Sequence, residues 1–285
     1  MILSSGSATA LASGWVGAAA GVLYAMAAVR GPGFERVAAR ALPAAWLVHL
    51  LALLLDLGGT VASGQGTRLG FAPVLSLTVW IVIGLHGVES RFVPLPAVRG
   101  WLAPVGLLVV LLAAFFPGEP YHLGTPAAAL HFVLGIGAYG LFGAAVLHGV
   151  LLDAAERRLR LKRPLPGRGA GADGTASSGG GNGSRSMPLL QLERLTFRFV
   201  EVGFVVLSAT ELIGLLDTVH WRWDHKTVFS VLSWVVFAAL VAGRRLYGWR
   251  GRRATRWLYV GTVLLLLAYV GSRFVLEVLL GRAPG

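Results

Sequence analysis

Long apolar stretches alternate with short polar segments along most of the chain. Each stretch is close to the roughly 20 residues that an α-helix needs to cross the hydrocarbon core of a bilayer. The stretches are continuously apolar, without the alternation of barrel strands, so they predict helices. We expect eight spans, at Leu11–Val29, Leu42–Leu57, Phe71–His86, Trp101–Phe116, Pro126–Leu152, Phe199–Leu216, Val228–Gly243 and Trp257–Leu280.

One long polar interruption separates the first five spans from the last three. Its central part, residues 164–187, is rich in Gly and Ser, and such a composition buries too little apolar surface to fold. We predict a disordered cytoplasmic linker there. Exterior-facing features occur in both groups of spans. Residues 1–285 are therefore predicted to form a single all-α, polytopic membrane helix bundle.

The composition agrees with a membrane protein and excludes several classes of function. Hydrophobic residues make up 55% of the chain and charged residues 13%, whereas about a quarter of the residues in soluble domains are charged. The absence of cysteine excludes disulfides, iron–sulfur clusters and thiolate zinc sites. Walker A, HExxH and GxSxG motifs are also absent, so we expect a binding or assembly protein and no enzyme.

A GxGxxG pattern occurs at Gly135–Gly140, but it lies inside a predicted span. Dinucleotide-binding loops of this pattern follow a strand and open a helix. Close helix packing is therefore the favoured interpretation.

The basic residues are concentrated on one side of the predicted membrane. Of the 25 Lys and Arg residues, 20 lie in the loops after spans one, three, five and seven. The positive-inside rule assigns these loops to the cytoplasm, so both termini and the loop before the seventh span are predicted to be exterior. No Lys or Arg precedes Arg30, which argues against a cleaved signal peptide. Sidedness and attraction to anionic lipids account for the net charge of +12 without nucleic acid.

A short segment between the sixth and seventh spans, His220-Trp-Arg-Trp-Asp224, combines aromatic and polar residues. Tryptophan faces can pack against a planar molecule, while the histidine, arginine and aspartate offer ligation and charge. The segment therefore predicts a ligand platform at the exterior surface.

Depth along the helices separates the seven histidines. His131 lies about five residues, or roughly 8 Å, below the exterior end of the fifth span. Small residues on both sides leave space around its ring. His148 is 17 residues deeper, too far away to share a ligand, and His49 lies near mid-membrane. Neutral imidazole is a good ligand for iron, and an interhelical hydrogen bond is the alternative for each histidine.

Five charged residues lie within or near the spans, at Asp56, Glu201, Glu211, Arg273 and Glu277. Charges in a bilayer need a partner or a function. Arg273 and Glu277 are four residues apart, which predicts a polar contact on one helix face. Glu201 and Glu211, about 15 Å apart along their helix, are candidates for two steps of a proton path.

The run Thr218–Trp234 resembles the tryptophan-rich motif and following helix of the cytochrome c assembly proteins. This haem-handling superfamily contains CcsA, CcmC and HemX, and the match to its YpjD branch is closer. Supporting segments are Leu130–Tyr139, Pro188–Phe197, Gly248–Arg253 and Ala268–Phe274. The resemblance implies a multi-pass protein of the bacterial inner (plasma) membrane that binds haem at the periplasmic face and handles it in cytochrome c biogenesis.

The resemblance also implies which residues hold haem. It places His131 as the iron ligand and Trp221, Trp223 and Asp224 as the platform, with His220 and His49 as further haem-binding candidates. The haem-delivering members resemble WGxxWxWDxxE, whereas this chain has the shorter HWRWDHK. No histidine follows Arg273, so the second axial ligand is left open between His220, His225 and another residue.

The implied partners are membrane lipids, together with apocytochrome c or other cytochrome c assembly proteins. The alternative is a transporter, a permease-like protein or a regulatory membrane scaffold without haem. In that case the charged residues of the spans form a polar path and the tryptophans form an interfacial belt.

Overall fold

The computed structural model describes residues 5–31, 33–62, 66–91, 96–118, 120–121, 124–160, 183–217 and 223–280. The helices are α1 Ser5–Ala28, α2 Glu35–Ala62, α3 Phe71–Glu89, α4 Pro96–Phe115, α5 Pro126–Arg160, α6 Gly183–Asp217, α7 His225–Tyr247 and α8 Gly251–Leu266. The first seven predicted spans coincide with α1 to α7, and the eighth begins in α8 and continues past its end. Within the described residues, eight helical segments are long and apolar enough to cross a membrane. The all-α polytopic bundle is therefore confirmed.

The last helix changes its winding after Leu266. It continues through a π-helical turn at Leu267–Gly271, an α-helical turn at Ser272–Phe274 and a second π-helical turn at Val275–Leu279. We call residues 267–279 the α8 extension. Turns of π-helix inside an α-helix are rare and occur frequently at functional sites.

Helices α5 and α6 run beyond their predicted spans into the long polar interruption. Helix α5 continues to Arg160 and α6 begins at Gly183, because backbone hydrogen bonding does not require apolar residues. The predicted linker at 164–187 lies outside the described residues up to position 182, and its last five positions form the start of α6.

Because an even number of spans returns the chain to the side where it began, the start of α1 and the end of the α8 extension lie at the same end of the bundle. We call this the Trp223 end and the opposite one the Arg91 end. At the Trp223 end, strand β1 (Thr67–Arg68) pairs antiparallel with β2 (Pro120–Tyr121). The pairing joins the α2–α3 loop to the α4–α5 loop.

Among the described residues, the core is formed by two hydrophobic clusters. One unites α1 to α4 around Tyr24, and the other unites α5 to α8 around Phe142 and Phe237, whose rings stack with centroids 3.7 Å apart. Helices α3 and α5 meet at Gly140, where an added Cβ would lie 2.5 Å from Cγ2 of Ile81. At this position the GxGxxG segment serves close helix packing, as predicted.

Candidate ligand-binding site

A cavity of about 360 Å³ lies among the helices of the second cluster, towards the Trp223 end. Its volume falls in the range of roughly 300–1,000 Å³ that is typical of small-molecule sites. The walls come from five helices, α3, α5, α6, α7 and α8, and from the α8 extension. The polar lining residues are His131, Tyr139, Thr210, Glu211, Lys226, Thr227, Ser230, Tyr269 and Arg273. Apolar residues such as Phe132 and Leu207 complete the lining, so the cavity suits a ligand with an apolar body and charged groups.

His131 is oriented by a backbone carbonyl of the neighbouring helix. Its Nδ1 lies 2.9 Å from the carbonyl oxygen of Thr210. Because a carbonyl only accepts hydrogen bonds, Nδ1 of the neutral ring donates and Nε2 keeps its lone pair. Metal-binding histidines are commonly fixed in this way, with the second ring nitrogen donating to a carbonyl or carboxylate. The tautomer leaves Nε2 of His131 able to bind iron.

Gly214 of α6 makes room for the imidazole. A Cβ at this position would lie 2.8 Å from Cε1 and 2.9 Å from Nδ1 of His131. Both distances are too short for non-bonded atoms, so the ring position depends on glycine. Neither Gly214 nor Thr210 was identified from the sequence, because a backbone carbonyl and one glycine among 39 carry no motif.

Charged side chains of both signs reach the cavity lining. Lys226 and Arg273 supply two cations, while Glu211 supplies a carboxylate that accepts a hydrogen bond from the Ser230 hydroxyl. Arg273 is only 6% exposed, and its guanidinium carbon lies 5.6 Å from the centroid of the Tyr269 ring. It occupies the single α-helical turn between the two π-helical turns. The α8 extension therefore brings a buried cation to the wall of the cavity.

Two tyrosines fix the walls of the cavity through backbone carbonyls. The hydroxyl of Tyr139 on α5 donates to the carbonyl of Leu265 on α8. The hydroxyl of Tyr269 donates to the carbonyl of Leu69, just before α3. These bonds tie α8 and its extension to α5 and to the start of α3.

Asp224 caps the helix that follows the aromatic segment. Its Oδ1 accepts hydrogen bonds from the backbone N–H and the hydroxyl of Thr227, each at 2.9 Å. Partial burial opposes ionisation, but these two bonds and the charges of Lys226 and His225 hold the pKa of Asp224 below its ordinary value. Trp223, 70% exposed, is thereby placed one turn before lining residues Lys226 and Thr227. His220, Trp221 and Arg222 lie outside the described residues.

The structure does not bring His49 to this cavity. His49 is buried, with Nδ1 3.1 Å from the hydroxyl of Tyr24 and Nε2 2.8 Å from the hydroxyl of Ser76. Both ring nitrogens thus link α2 to α1 and α3. His148 is also buried, with Nε2 2.9 Å from a carboxylate oxygen of Glu89. Both histidines fit the interhelical alternative.

The acidic residues of the spans contact separate partners. Asp56 lies 3.9 Å from Arg68 at the Trp223 end, and Glu201 lies 3.4 Å from Arg245 towards the Arg91 end. Glu211 contacts Ser230 inside the cavity. These separate contacts give little support to one polar path. The predicted partner of Arg273, Glu277, approaches Gly70, where an added Cβ would lie 3.0 Å from Oε2.

Comparison with known proteins agrees with the motifs. Residues 44–280 match the family model described as Cytochrome C assembly protein. The inner membrane protein YpjD of Escherichia coli (strain K12) is 29% identical over 258 residues, covering 87% of this chain and 89% of YpjD. The cytochrome c biogenesis protein CcsA of Prochlorococcus marinus subsp. pastoris is 26% identical over 247 residues, covering 80% of this chain and 78% of CcsA. No solved structure matches the chain.

The family match includes every residue that lines the cavity, from Val74 on α3 to Arg273 in the α8 extension. It also covers Trp223 and Asp224, which carried the resemblance in the sequence. With most of its length and its whole candidate site inside the matched region, the chain belongs to the cytochrome c assembly protein family.

Proposed function

We propose that this membrane protein binds haem in the cavity beside His131 and presents it at the exterior face during cytochrome c biogenesis. The observation that carries the proposal is the His131 imidazole, whose Nδ1 is engaged by the Thr210 carbonyl. His131 would then hold haem by binding its iron through Nε2.

The donor set suits haem better than a bare metal ion. Among the described residues, no three His, Asp or Glu side chains form a metal-binding group. A single imidazole is enough for haem, because the macrocycle already supplies four nitrogen ligands to the iron. When bound, haem supplies the iron and the macrocycle that a partner attaches to an apocytochrome.

The remaining lining residues complement the rest of the haem molecule. Lys226 and Arg273 are the cations of the lining, and each can pair with a propionate through charge-assisted hydrogen bonds. Phe132 and Leu207 offer apolar contacts to the macrocycle. The exposed ring of Trp223 lies one turn before the lining residues Lys226 and Thr227, where it could pack against bound haem.

The distribution of basic residues and the similarity to known proteins support the proposed location, and that similarity also supports the proposed role. The positive-inside pattern supports a periplasmic position for the Trp223 end, and the similarity to YpjD supports the bacterial inner membrane. The similarity to CcsA proteins supports a place in cytochrome c biogenesis. We assign the protein as a haem-handling assembly factor that passes its ligand to other assembly proteins or to apocytochrome c without catalysis of its own.

Haem titration of the purified full-length protein tests the proposal. We expect a Soret band from haem-replete cells and saturable binding of added hemin. His131→Gln, which keeps a donor for the Thr210 carbonyl but removes the imidazole, should weaken binding at least about tenfold and shift the Soret band. His49→Gln is the matched control, since both His49 nitrogens contact protein hydroxyls, and it should bind hemin like the wild type.

Two outcomes contradict the proposal. A wild-type protein that shows no Soret band and binds no hemin favours the transporter or scaffold alternative. Equal hemin binding by the wild type and His131→Gln would show that His131 does not bind the iron.

A further inference from the structure

A second cavity, of about 810 Å³, lies between α2, α3 and α4 at the Arg91 end of the bundle. We propose that it binds an anionic phospholipid from the surrounding membrane, with the headgroup phosphate at Arg91 and Arg99. This site shares no lining residue with the His131 cavity. The inference is therefore independent of the proposed haem function.

The charge of the lining fits a phosphate. Arg91 comes from the end of α3 and Arg99 from the first turn of α4, and no Asp or Glu is among the lining residues. The nearby Glu89 does not line the cavity, and its carboxylate lies 2.9 Å from Nε2 of His148 on α5. Guanidinium groups bind phosphate oxygens through paired, charge-assisted hydrogen bonds.

A buried histidine at the wall supports a polar ligand. His86 lines the cavity and is 6% exposed. Its Nδ1 is enclosed and has no hydrogen-bond partner among the described residues. Buried polar atoms without partners are destabilising and uncommon. A headgroup beside Arg99 brings hydrogen-bonding oxygens to this part of the wall.

A proline supplies a second polar feature of the wall. Pro43 lies inside α2 and has no backbone N–H, so the carbonyl of Ala39 one turn earlier lacks its usual helical donor. Both residues line the cavity. A hydroxyl-bearing headgroup such as phosphatidylglycerol can donate to this carbonyl.

The apolar part of the cavity distinguishes a lipid from free phosphate. Leu42, Trp46 and Ile83 contribute apolar surface that an inorganic anion cannot use. Leu47 and Val88 also line the cavity while remaining 58% and 60% exposed, so the cavity borders the lipid-facing surface. An acyl chain can lie against these residues while the phosphate reaches the arginines, as in basic pockets between membrane helices that hold anionic headgroups.

The proposal is tested by titrating the delipidated full-length protein with phosphatidylglycerol and counting bound lipids by native mass spectrometry. Arg91→Gln combined with Arg99→Gln should weaken binding of one tight phosphatidylglycerol by about 30-fold, from the usual attraction of two arginines to anionic lipid. Arg36→Gln combined with Arg40→Gln is the matched control. It removes the same charge near the start of α2, at residues that are exposed and outside the lining, and should change the affinity less than twofold.

A cavity-filling variant tests the same site without changing its charge. A Cβ at Gly87, another lining residue, meets no atom within 4 Å, so Gly87→Leu is expected to fold and to fill space needed by the lipid. It should also lose the tight phosphatidylglycerol, which keeps the test decisive if the arginine variant fails to fold.

Three outcomes overturn the proposal. Equal weakening by the two arginine pairs would show general attraction to a basic surface. Unchanged binding by folded Gly87→Leu would place the lipid elsewhere. Release of the lipid by inorganic phosphate at constant ionic strength would identify a soluble anion as the ligand.

Discussion

Trp46 of α2 and Trp80 of α3 each donate an indole N–H to the other's backbone carbonyl, at 2.9 and 3.0 Å, while their rings stack with centroids 4.8 Å apart. Glycine at position 84 leaves space for the Trp46 ring, since a Cβ there would lie 3.1 Å from Nε1 of Trp46. The reciprocal bonds fix α2 against α3. The nearby contact between His49 and Ser76 joins the same two helices.

Removing one indole N–H from this pair should lower stability. Trp80→Phe keeps an aromatic ring but loses the hydrogen bond to Trp46, so we expect the free energy of unfolding to fall by about 1 kcal/mol. Thermal unfolding of the detergent-solubilised protein measures the change. Trp15→Phe is the control, because Trp15 is 77% exposed on α1. An equal loss in both variants would show that the pairing contributes nothing specific.

The position of the His131 ring should depend on Gly214. Gly214→Ala forces the imidazole to move, since the new Cβ would lie 2.9 Å from Nδ1, and hemin affinity should fall at least about tenfold. The matched control is Gly137→Ala, where an added Cβ meets no atom within 4 Å. Hemin titration should leave Gly137→Ala at the wild-type affinity. Equal hemin affinities of the wild type and both variants would show that hemin does not bind at the His131 ring.

The cationic lining should recognise the propionates of haem. We expect the wild type to bind hemin more tightly than hemin dimethyl ester, in which both carboxylates are neutral. Lys226→Gln should reduce this preference by about five- to tenfold, in keeping with one charge-assisted hydrogen bond. The ester serves as the internal control, since its affinity should change little. A preference unaffected by the substitution would place the propionates away from Lys226.

Asp224 should act mainly by capping α7. Asp224→Ala should lower the free energy of unfolding by about 1 kcal/mol, whereas Asp224→Asn should retain most of the stability, because asparagine is also a good N-cap residue. Thermal unfolding at neutral pH tests this order. If Asp224→Asn is as unstable as Asp224→Ala, the negative charge matters more than the cap.

The same carboxylate should give a pH dependence. The pKa of Asp224 is held below its ordinary value of 3.8, so its stabilising contribution is fully present above that value. It is lost as the pH falls through the lowered pKa, where the folded-state carboxylate becomes protonated. The difference in stability between wild type and Asp224→Asn should therefore shrink below pH 3.8. A difference that grows on acidification would contradict the capping role.

The helices could be predicted because membrane spans leave a strong pattern in sequence. A run such as Val228–Gly243 is mostly apolar and holds no charged residue, and a helix satisfies its backbone in lipid. The extents of α5 and α6 could not be predicted, because the polar residues beyond the spans give no hydropathy pattern.

The site could be predicted only in part. Depth along α5 and the open space around His131 indicated the imidazole, and the structure places it in a cavity. Its partners depend on tertiary packing between residues 79 positions apart. His49 was a further haem-binding candidate in the sequence, yet the packing of α1 and α3 engages both of its nitrogens. The contact between Arg273 and Glu277 stays a prediction, and the place of Arg273 at the cavity wall could not be predicted, because the π-helical winding of the α8 extension leaves no pattern in sequence.

The winding of the α8 extension determines the direction in which its side chains point. A π-helical turn accommodates one more residue than an α-helical turn, so the turn at Leu267–Gly271 sets the angular phase of everything that follows. Winding the same residues as a regular α-helix would rotate Arg273 by about 100° around the helix axis, whereas deleting one residue of the turn would remove the π-helical winding and leave Arg273 close to its present orientation. The extra residue is thus taken up within the turn, and Arg273 keeps the orientation that a regular helix shorter by one residue would give it.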